Sequence, residues 1–293
     1  MALLLSAVTK GGDIMRAAII PNLTRKKTAA VTGDLCKKLK ELDISYMIDE
    51  KLAPHLKNTG AEFLSMEKVI ALSDLIISVG GDGTIIHAAK YGKPVLGINA
   101  GRIAFMAGLE ATELELLSSL KDGKYQTDRR MMLKAVIKKD GEIIGERYCI
   151  NDVVAARGEK IKMTELALSC NGSFINNYVA DGMIVSTPTG STAYNLSAGG
   201  PVVDPQIESI MLTPICTHSL FSRSLIFKPN AVLNIKNISD EDMSVSCDGE
   251  EPLRVGSGGE VTVTKAPTYA EFIRIKTDTF LDILNDKLAQ RRL

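Results

Sequence analysis

The sequence lacks several features that would assign the protein to a class at once. Its 35 basic and 35 acidic residues give no net charge, so no bulk field favours nucleic acid or an anionic membrane. No apolar stretch approaches the roughly 20 residues of a membrane-spanning helix. The five cysteines are odd in number and contain no C-x-x-C pair, which argues against zinc or redox chemistry. We therefore expect reduced thiols, a cytoplasmic location, and neither a nucleic-acid nor a membrane partner.

The common nucleotide-binding loops are also missing. The chain contains no G-x-x-x-x-G-K-[ST] string and no G-x-G-x-x-G string opening a helix. Internal repeats, coiled-coil heptads and low-complexity tracts are absent as well. The length of 293 residues is sufficient for two ordinary domains. A nucleotide site in this chain therefore needs a different signature.

The pattern of apolar residues changes part of the way along the chain. Near the start, short apolar strands alternate with helical patterns, which predicts an α/β domain with a parallel sheet. Beyond Asp122-Gly123, short strands and turn signals take over. Asp140-Gly141 and Asn171-Gly172 predict hairpins and so an all-β, sandwich-like domain. The final segment becomes helical again, and we expect it to pack on the first domain. The predicted divisions are an α/β domain over 1–122, with 1–14 a dispensable extension, an all-β domain over 123–268, and a returning segment over 269–293.

The most informative string is Gly80-Gly81-Asp82-Gly83-Thr84. It follows an apolar strand at 74–79 and precedes a predicted helix over 84–90, with Thr84 near the helix cap. A helix N-terminus attracts phosphate, and glycines let a substrate approach the backbone. A carboxylate in such a loop suits proton acceptance, metal binding or a bond to a sugar hydroxyl, and each indicates phosphoryl chemistry. The alternative is a tight structural turn in which Asp82 is a solvated cap.

A second string, over 181–197, concentrates hydroxyl groups and glycines beside a strand. Its hydroxyl and backbone donors suit a phosphate or a nucleoside, and Tyr194 could stack on a base. The alternative is a surface loop rich in serine and threonine.

Together, these strings resemble the NAD kinase family of bacteria across nearly the whole chain. The resemblance also rests on Asn99–Met106, Asn151-Asp152 and Thr213–Leu220. Lipid kinases of the diacylglycerol type and phosphofructokinases share the first string but lack the hydroxyl-rich one. Ala104 stands where the family pattern has glycine, and Glu250 stands where relatives often have glutamine.

The resemblance implies a specific reaction. The γ-phosphate of ATP moves to the 2′-hydroxyl of the adenosine ribose of NAD, giving NADP, and Asp82 accepts the proton. Mg²⁺ is expected to arrive on ATP rather than on protein ligands, and the chain is expected to form a homodimer or homotetramer. The implied phosphate loop is Gly80, Gly81, Gly83 and Thr84. The residues implied to bind the nucleotide substrate are Asp82, Gly83, His87, Asn151, Asp152, Lys162, Asp181, Thr192, Ala193, Tyr194, Asn195, Leu196, Ser197 and Glu250.

Other functions stay open at this point. A lipid kinase would use the same aspartate on a lipid hydroxyl, and a nucleotide sensor would bind without turnover. Inorganic polyphosphate is an alternative donor, and the choice between NAD and NADH is undecided.

Overall fold

The computed structural model describes residues 15–25, 27–101, 104–159, 162–218 and 222–290. The chain divides into two compact units. The first takes the chain up to Arg129 together with the segment from Ala270, and the second runs from Arg130 to Tyr269. The functional domain limits inferred from the sequence stay a prediction, and the extension over 1–14 lies outside the described residues.

The secondary structure is rich in strands. In chain order they are β1 (Arg16–Pro21), β2 (Ser45–Asp49), β3 (Glu62–Leu64), β4 (Leu75–Gly80), β5 (Val95–Asn99), β6 (Leu109–Glu110), β7 (Gln126–Lys139), β8 (Glu142–Cys149), β9 (Asp152–Arg157), β10 (Thr164–Cys170), β11 (Ser173–Ala180), β12 (Gly182–Ser186), β13 (Ile210–Ile215), β14 (Leu225–Phe227), β15 (Leu233–Asn237), β16 (Met243–Cys247), β17 (Leu253–Val255) and β18 (Glu260–Arg274). The helices are α1 (Thr28–Glu41), α2 (Met66–Leu72), α3 (Asp82–Ala89), α4 (Ser118–Lys121), α5 (Tyr194–Ser197) and α6 (Phe280–Gln290), and 3₁₀ helices occur at Glu50–His55, Leu114–Leu117 and Thr189–Thr192.

The first unit is built on a parallel sheet with the order β3-β2-β1-β4-β5. Strand β4 is apolar from Leu75 to Val79 except at Ser78 and is buried throughout, which is typical of a strand covered on both faces. In the register, Ala17 of β1 lies opposite Tyr46 of β2 on one side and Leu75 of β4 on the other. Helix α1 buries Leu35 and Leu39, whose spacing of four puts them on one helix face. The predicted α/β domain is confirmed.

The C-terminal segment belongs to the first unit. Near the end of β18, Phe272 pairs in parallel with Val95 of β5, and both side chains are buried. Ile273 joins the same hydrophobic core as Leu96 and Ile98. The predicted return of the final segment to the first domain is therefore confirmed.

The direction of chain progression through the parallel sheet reverses beside β1. Strands β2 and β3 extend the sheet on one side of β1, whereas β4 and β5 extend it on the other. In open α/β sheets, such a reversal leaves a crevice outside the carboxyl ends of the strands, and ligands bind there. The segments after β1 and β4 flank this crevice.

The second unit is a sandwich of antiparallel sheets. One sheet has the order β11-β10-β15-β18, with the β7-β8 hairpin attached through β18, and the other has the order β14-β13-β12-β9-β16-β17. Alternate side chains of both sheets form one core, including Leu168 and Ile235 from the first sheet and Val153 and Val185 from the second. The predicted sandwich-like domain is confirmed.

Two hairpins follow directly from local turn chemistry. Asp140 and Gly141 have φ of 53° and 83°, and Asn171 and Gly172 have φ of 51° and 79°. A tight turn of this kind needs positive φ at both central residues, and the Asp-Gly and Asn-Gly pairs tolerate it. The β7-β8 and β10-β11 hairpins match the sequence prediction.

The start of α3 differs from the prediction. The helix begins at Asp82, not at Thr84, and its N-cap is Gly81, whose backbone is extended. Thr84 already lies in the first turn, because its N–H donates to the carbonyl of Gly81 at 3.0 Å. An acid in the first turn is favoured by the helix dipole, so Asp82 can start the helix.

No helix in the described part of the chain is long and apolar enough to cross a membrane.

Candidate active site

The glycine-rich loop of the first unit connects β4 to α3. At Gly80, an added Cβ would lie 2.5 Å from the Thr84 Oγ1, so packing requires glycine there. At Gly83, an added Cβ would meet nothing within 4 Å. Gly83 is also exposed, in the first turn of the helix. Packing within this unit therefore explains the glycine at Gly80 but not the glycine at Gly83.

Backbone donors orient the Asp82 carboxylate. The N–H of Phe105 donates to Oδ2 at 3.0 Å, and the N–H of Met106 donates to Oδ1 at 2.8 Å. Backbone bonds to both oxygens fix the side-chain rotamer, and these two bonds alone do not use up the acceptor capacity of a carboxylate. The donors are main-chain groups, so the alanine at Ala104, where the family pattern has glycine, does not remove them.

Neighbouring segments support the glycine-rich loop. The Asn22 N–H donates to the carbonyl of Val79 at 2.9 Å, and its Nδ2 donates to the Thr84 Oγ1 at 3.3 Å. On the other side, the N–H of Ala100 donates to the carbonyl of Gly80 at 3.0 Å. The segments after β1 and β5 therefore contact the loop after β4 at one edge of the sheet.

Arg25 lies against the same loop. A Cβ added at Gly81 would meet the Arg25 guanidinium at 3.2 Å, and one added at Gly101 would clash with it. Both glycines leave room for the guanidinium. A planar cation with several N–H donors at this place suits phosphate oxygens.

His87 lies one turn further along α3 and is exposed. Its ring meets Tyr91 edge-on at 5.5 Å between centroids, and its Nε2 lies 3.4 Å from the Tyr91 hydroxyl. Burial raises the pKa of the Tyr91 hydroxyl, with smaller contributions from Asp49 and Glu67. Tyr91 therefore packs against one side of the His87 imidazole.

The described residues contain no group of three or more histidine, cysteine, aspartate or glutamate side chains arranged to hold a metal ion. A metal held only by protein ligands needs such a set, whereas Mg²⁺ commonly takes most of its ligands from water and substrate phosphates. Around Asp82, the single carboxylate suits a Mg²⁺ ion that takes most of its ligands from water and substrate phosphates.

In the second unit, Asp248 organises the turn that carries Asn151 and Asp152. Its Oδ2 accepts from the N–H of Ile150 at 2.9 Å, and its Oδ1 accepts from those of Asn151 at 2.8 Å and Asp152 at 3.1 Å. Asp248 itself has φ of 50°, a left-handed conformation that aspartate tolerates better than most residues. Three consecutive backbone donors therefore converge on one carboxylate.

The hydroxyl-rich segment packs on the same turn. The Thr187 N–H donates to the carbonyl of Asn151 at 2.9 Å, and its hydroxyl donates to that of Ile150 at 2.6 Å. Gly190 lies so close to the Asn151 carbonyl that any side chain would clash. The buried Arg130 donates to the Thr189 hydroxyl at 3.3 Å. The fold thus brings together two strings that are well separated in the sequence.

Residues 192–197 differ in how they are placed. The Asn195 side chain is fully buried, accepting from the Thr213 hydroxyl at 2.7 Å and donating to the carbonyls of Ser191 and Pro201. This gives Asn195 a scaffolding role. Tyr194 is 46% exposed, and Ser197 is exposed as well. Thr192, Ala193 and Leu196 are partly buried.

The remaining predicted site residues form ion pairs in the second unit. Asp181 pairs with Arg157 at 3.1 Å, Lys162 approaches Glu241 at 3.8 Å, and Glu250 approaches Arg147 at 3.9 Å. These pairs give each side chain a structural partner. Their roles in binding stay predictions.

Sequence reasoning missed two of these residues. Asp248 is followed by Gly249, and such a pair signals a turn but not the distant residues that the carboxylate binds. Arg25 follows β1 without any motif of its own, and β1 lies next to β4 in the sheet. This position could point to Arg25 only once the strand order is known.

Comparison with solved structures first defines the class of protein by its fold. The yeast NADH kinase complexed with NADH matches with a TM-score of 0.87 over 95% of this chain and 89% of its own, at 24% sequence identity. An NAD kinase from Archaeoglobus fulgidus in complex with ATP matches with a TM-score of 0.72 over 94% and 99%. The fold is that of NAD and NADH kinases.

Sequence comparison then gives the family. Residues 18–125 match the ATP-NAD kinase N-terminal domain, and residues 150–275 match the ATP-NAD kinase C-terminal domain. The NAD kinase of Caldanaerobacter subterraneus subsp. tengcongensis is 35% identical over 94% of this chain and 99% of its own length. That of Symbiobacterium thermophilum is 40% identical over 74% and 78%. The chain belongs to the ATP-NAD kinase family.

Proposed function

We propose that this protein transfers the γ-phosphate of ATP to the 2′-hydroxyl of the adenosine ribose of NAD, giving NADP and ADP. Membership of the ATP-NAD kinase family supports the reaction class. The observation that carries the residue assignment is the Asp82 carboxylate, which two backbone N–H groups orient at the start of α3.

Asp82 acts as the proton acceptor in this proposal. As the ribose oxygen forms its bond to the γ-phosphorus, the hydroxyl proton passes to the carboxylate, and the bond from the γ-phosphorus to the bridging oxygen breaks to release ADP. General-base help of this kind contributes about 10²- to 10⁴-fold to the rate. Holding the hydroxyl and the γ-phosphate in line contributes more, because phosphoryl transfer leaves the protein little covalent work.

The glycine-rich loop places phosphate beside this carboxylate. The exposed Gly83 leaves its backbone accessible, and the start of α3 favours negative charge. Arg25, packed over Gly81 and Gly101, adds a guanidinium that offsets the repulsion between Asp82 and an incoming phosphate. Mg²⁺ enters as the MgATP complex, so it is part of the substrate.

The second unit supplies the nucleoside contacts in this proposal. Asp248 holds the backbone of Asn151 and Asp152 in place. Their side-chain oxygens can accept hydrogen bonds from ribose hydroxyls and amide N–H groups, which are donors. The exposed Tyr194 offers a ring on which a base can stack. Thr192 and Ser197 add hydroxyl groups on the same segment.

The protein in this proposal is a homodimer or homotetramer in the cytoplasm. The strands at the ends of the two sheets of the second unit carry large exposed apolar side chains, with Phe174 on β11 66% exposed and Ile226 on β14 59% exposed. Unpaired strand edges of this kind are suited to pairing with another copy. Light scattering measures the state directly, and a monomer would contradict this part.

The reaction is tested by incubating the purified protein with NAD, ATP and Mg²⁺ and measuring NADP with an NADP-specific dehydrogenase. In Asp82→Asn, we expect kcat to fall by at least about 100-fold because the base is lost. The matched control is Asp34→Asn, an exposed aspartate on α1, which should keep the parental rate.

The amide of Asp82→Asn can accept from only one of the two N–H groups, so NAD binding must be measured alongside turnover. Binding within a few-fold of the parent assigns the loss to chemistry. A variant that still turns over within about tenfold of the parent would refute the proton-acceptor role. No NADP from the parent would refute the reaction itself, and tight NAD binding in that case would favour a sensor.

A further inference from the structure

Arg274, the last residue of β18, contacts the segment that orients the Asp82 carboxylate. Its Nη1 donates to the carbonyl of Ala107 at 3.0 Å. Ala107 directly follows Phe105 and Met106, whose N–H groups donate to the two oxygens of Asp82. The guanidinium and the carboxylate thus bind the same short stretch of backbone, one through a carbonyl and the other through N–H groups.

This stretch has no regular structure of its own. Residues 104–107 lie outside the helices and strands that the structure describes. Just beyond them, the N–H of Gly108 donates to the carbonyl of Gly97 at 2.9 Å, and the β5-β6 pairing follows. Because no helix or strand fixes residues 104–107, their conformation depends on individual contacts such as the one from Arg274.

Asp128 of β7 holds the Arg274 guanidinium in turn. The Nε of Arg274 lies 3.4 Å from the Oδ2 of Asp128, and the two side chains are only 14% and 12% exposed. Low exposure weakens the screening of such a pair by salt. A planar guanidinium can donate to a carboxylate through Nε and to a carbonyl through Nη1 at the same time, whereas lysine presents one point charge. The pair therefore places the group that holds Ala107.

A second ion pair joins the same two strands in a more exposed setting. The Nε of Arg129 on β7 lies 3.7 Å from the Oε1 of Glu271 on β18, and these side chains are 61% and 40% exposed. Exposed pairs of this kind contribute little to stability. Arg129 therefore provides a matched control for Arg274, because its removal also breaks an ion pair between β7 and β18.

We propose that Arg274 is a positioning residue for phosphoryl transfer, because its bond to the Ala107 carbonyl keeps the N–H groups of Phe105 and Met106 directed at Asp82. The proposal deepens the proposed function and rests on it for the role of Asp82. A displacement of about 1 Å in a reacting group can cost about 100-fold in rate. The effect of Arg274 should therefore fall on kcat and not on the binding of either substrate.

The first test needs no turnover. In Arg274→Ala, we expect the amide protons of Phe105 and Met106 to exchange with solvent about tenfold faster or more, because their bonds to Asp82 open more often. NMR of the full chain measures this exchange, and Arg129→Ala should leave it unchanged. Parental exchange at both amides in Arg274→Ala would overturn the proposal.

The second test uses steady-state kinetics. In Arg274→Ala, we expect kcat for NADP formation to fall by about tenfold or more, while KM for NAD and KM for ATP stay within about threefold. Arg129→Ala should keep all three constants. An unchanged kcat with raised KM values would overturn the proposal. Faster exchange in Arg274→Ala, combined with no NADP from the parent, would refute the proposed reaction and leave the contact between Arg274 and the support of Asp82 established.

A double variant tests whether Arg274 acts through Asp82. In the Asp82→Asn background, Arg274→Ala should lower the residual kcat by less than about twofold, because the carboxylate that it positions is already gone. A purely structural role would lower the rate equally in both backgrounds. A loss in Asp82→Asn as large as the loss in the parent would therefore overturn the proposal.

Arg274→Lys covers the case in which Arg274→Ala does not fold. Lysine keeps a positive charge beside Asp128, but its ammonium cannot reproduce the two-sided geometry of the guanidinium. We expect the exchange of the Phe105 and Met106 amides to rise, and kcat to fall, by about threefold or more. Parental exchange together with parental kcat in Arg274→Lys would overturn the proposal.

Discussion

Asp82 and Asp248 are both followed by glycine and both accept backbone N–H groups, yet the two units use them differently. Asp82 begins a helix, and the N–H groups of Phe105 and Met106 each donate to one of its carboxylate oxygens. Asp248 sits in a left-handed turn and receives three donors from the consecutive residues Ile150 to Asp152. The difference teaches that an Asp-Gly pair has no fixed structural meaning: the Asp248 carboxylate organises a distant turn, whereas the Asp82 carboxylate is oriented at the start of a helix.

The largest expected difference between the two aspartates is in turnover. Asp82→Asn should lower kcat by at least about 100-fold, because it removes the proposed proton acceptor. Asp248→Asn should keep kcat within about tenfold and raise KM for NAD, because Asp248 acts through the position of Asn151 and Asp152. Steady-state kinetics with varied NAD measures both constants. A kcat loss in Asp248→Asn as large as that of Asp82→Asn would remove the distinction.

Stability tests the structural role of Asp248. Asp248→Asn leaves one acceptor oxygen for three N–H groups, so we expect the free energy of unfolding to fall by about 1–3 kcal/mol. Asp140→Asn is the matched control, because Asp140 is also followed by glycine, is exposed and has φ of 53°. It should stay within about 0.5 kcal/mol of the parent. Urea unfolding measures both variants, and equal stability in the two would contradict the structural role of Asp248.

Within the glycine-rich loop, two alanine substitutions should have opposite effects, and the smaller is expected at Gly83. Gly80→Ala places a Cβ against Thr84 and should cost about 1–3 kcal/mol of stability. Gly83→Ala meets open space in a helix and should raise stability by about 0.5–1 kcal/mol. Despite that gain, Gly83→Ala should weaken substrate binding, because its Cβ occupies the approach to the backbone. Parental kinetics in Gly83→Ala would show that its glycine serves no ligand.

Much of the fold was predictable because its signals are local. The run from Leu75 to Val79 is apolar at every position but one, and it forms a buried parallel strand. Asp140-Gly141 and Asn171-Gly172 specify their hairpins through the φ values that they tolerate. The start of α3 was predicted two residues late, because three glycines in five residues hide where helical geometry begins.

Site residues were predictable from the sequence only where they belong to a distinctive local motif. Gly80–Thr84 and the segment over 181–197 stand out in the sequence. The support of Asp82 by Phe105 and Met106 does not stand out, because the Asp82 carboxylate accepts from backbone N–H groups more than 20 residues further along the chain. Asp248 bonds to residues nearly 100 positions earlier, and no local pattern specifies such a pair.

By itself, the sequence determined the two kinds of sheet, the position of the acid among three glycines and membership of the ATP-NAD kinase family. These features depend on periodicity, turn residues and spacing, which are properties of neighbouring residues. Only the tertiary structure decided which backbone groups hold Asp82 and Asp248, and that Arg274 reaches the carbonyl of Ala107. The physical reason is that strand order and register bring together residues whose separation along the chain gives no energetic preference for one partner over another.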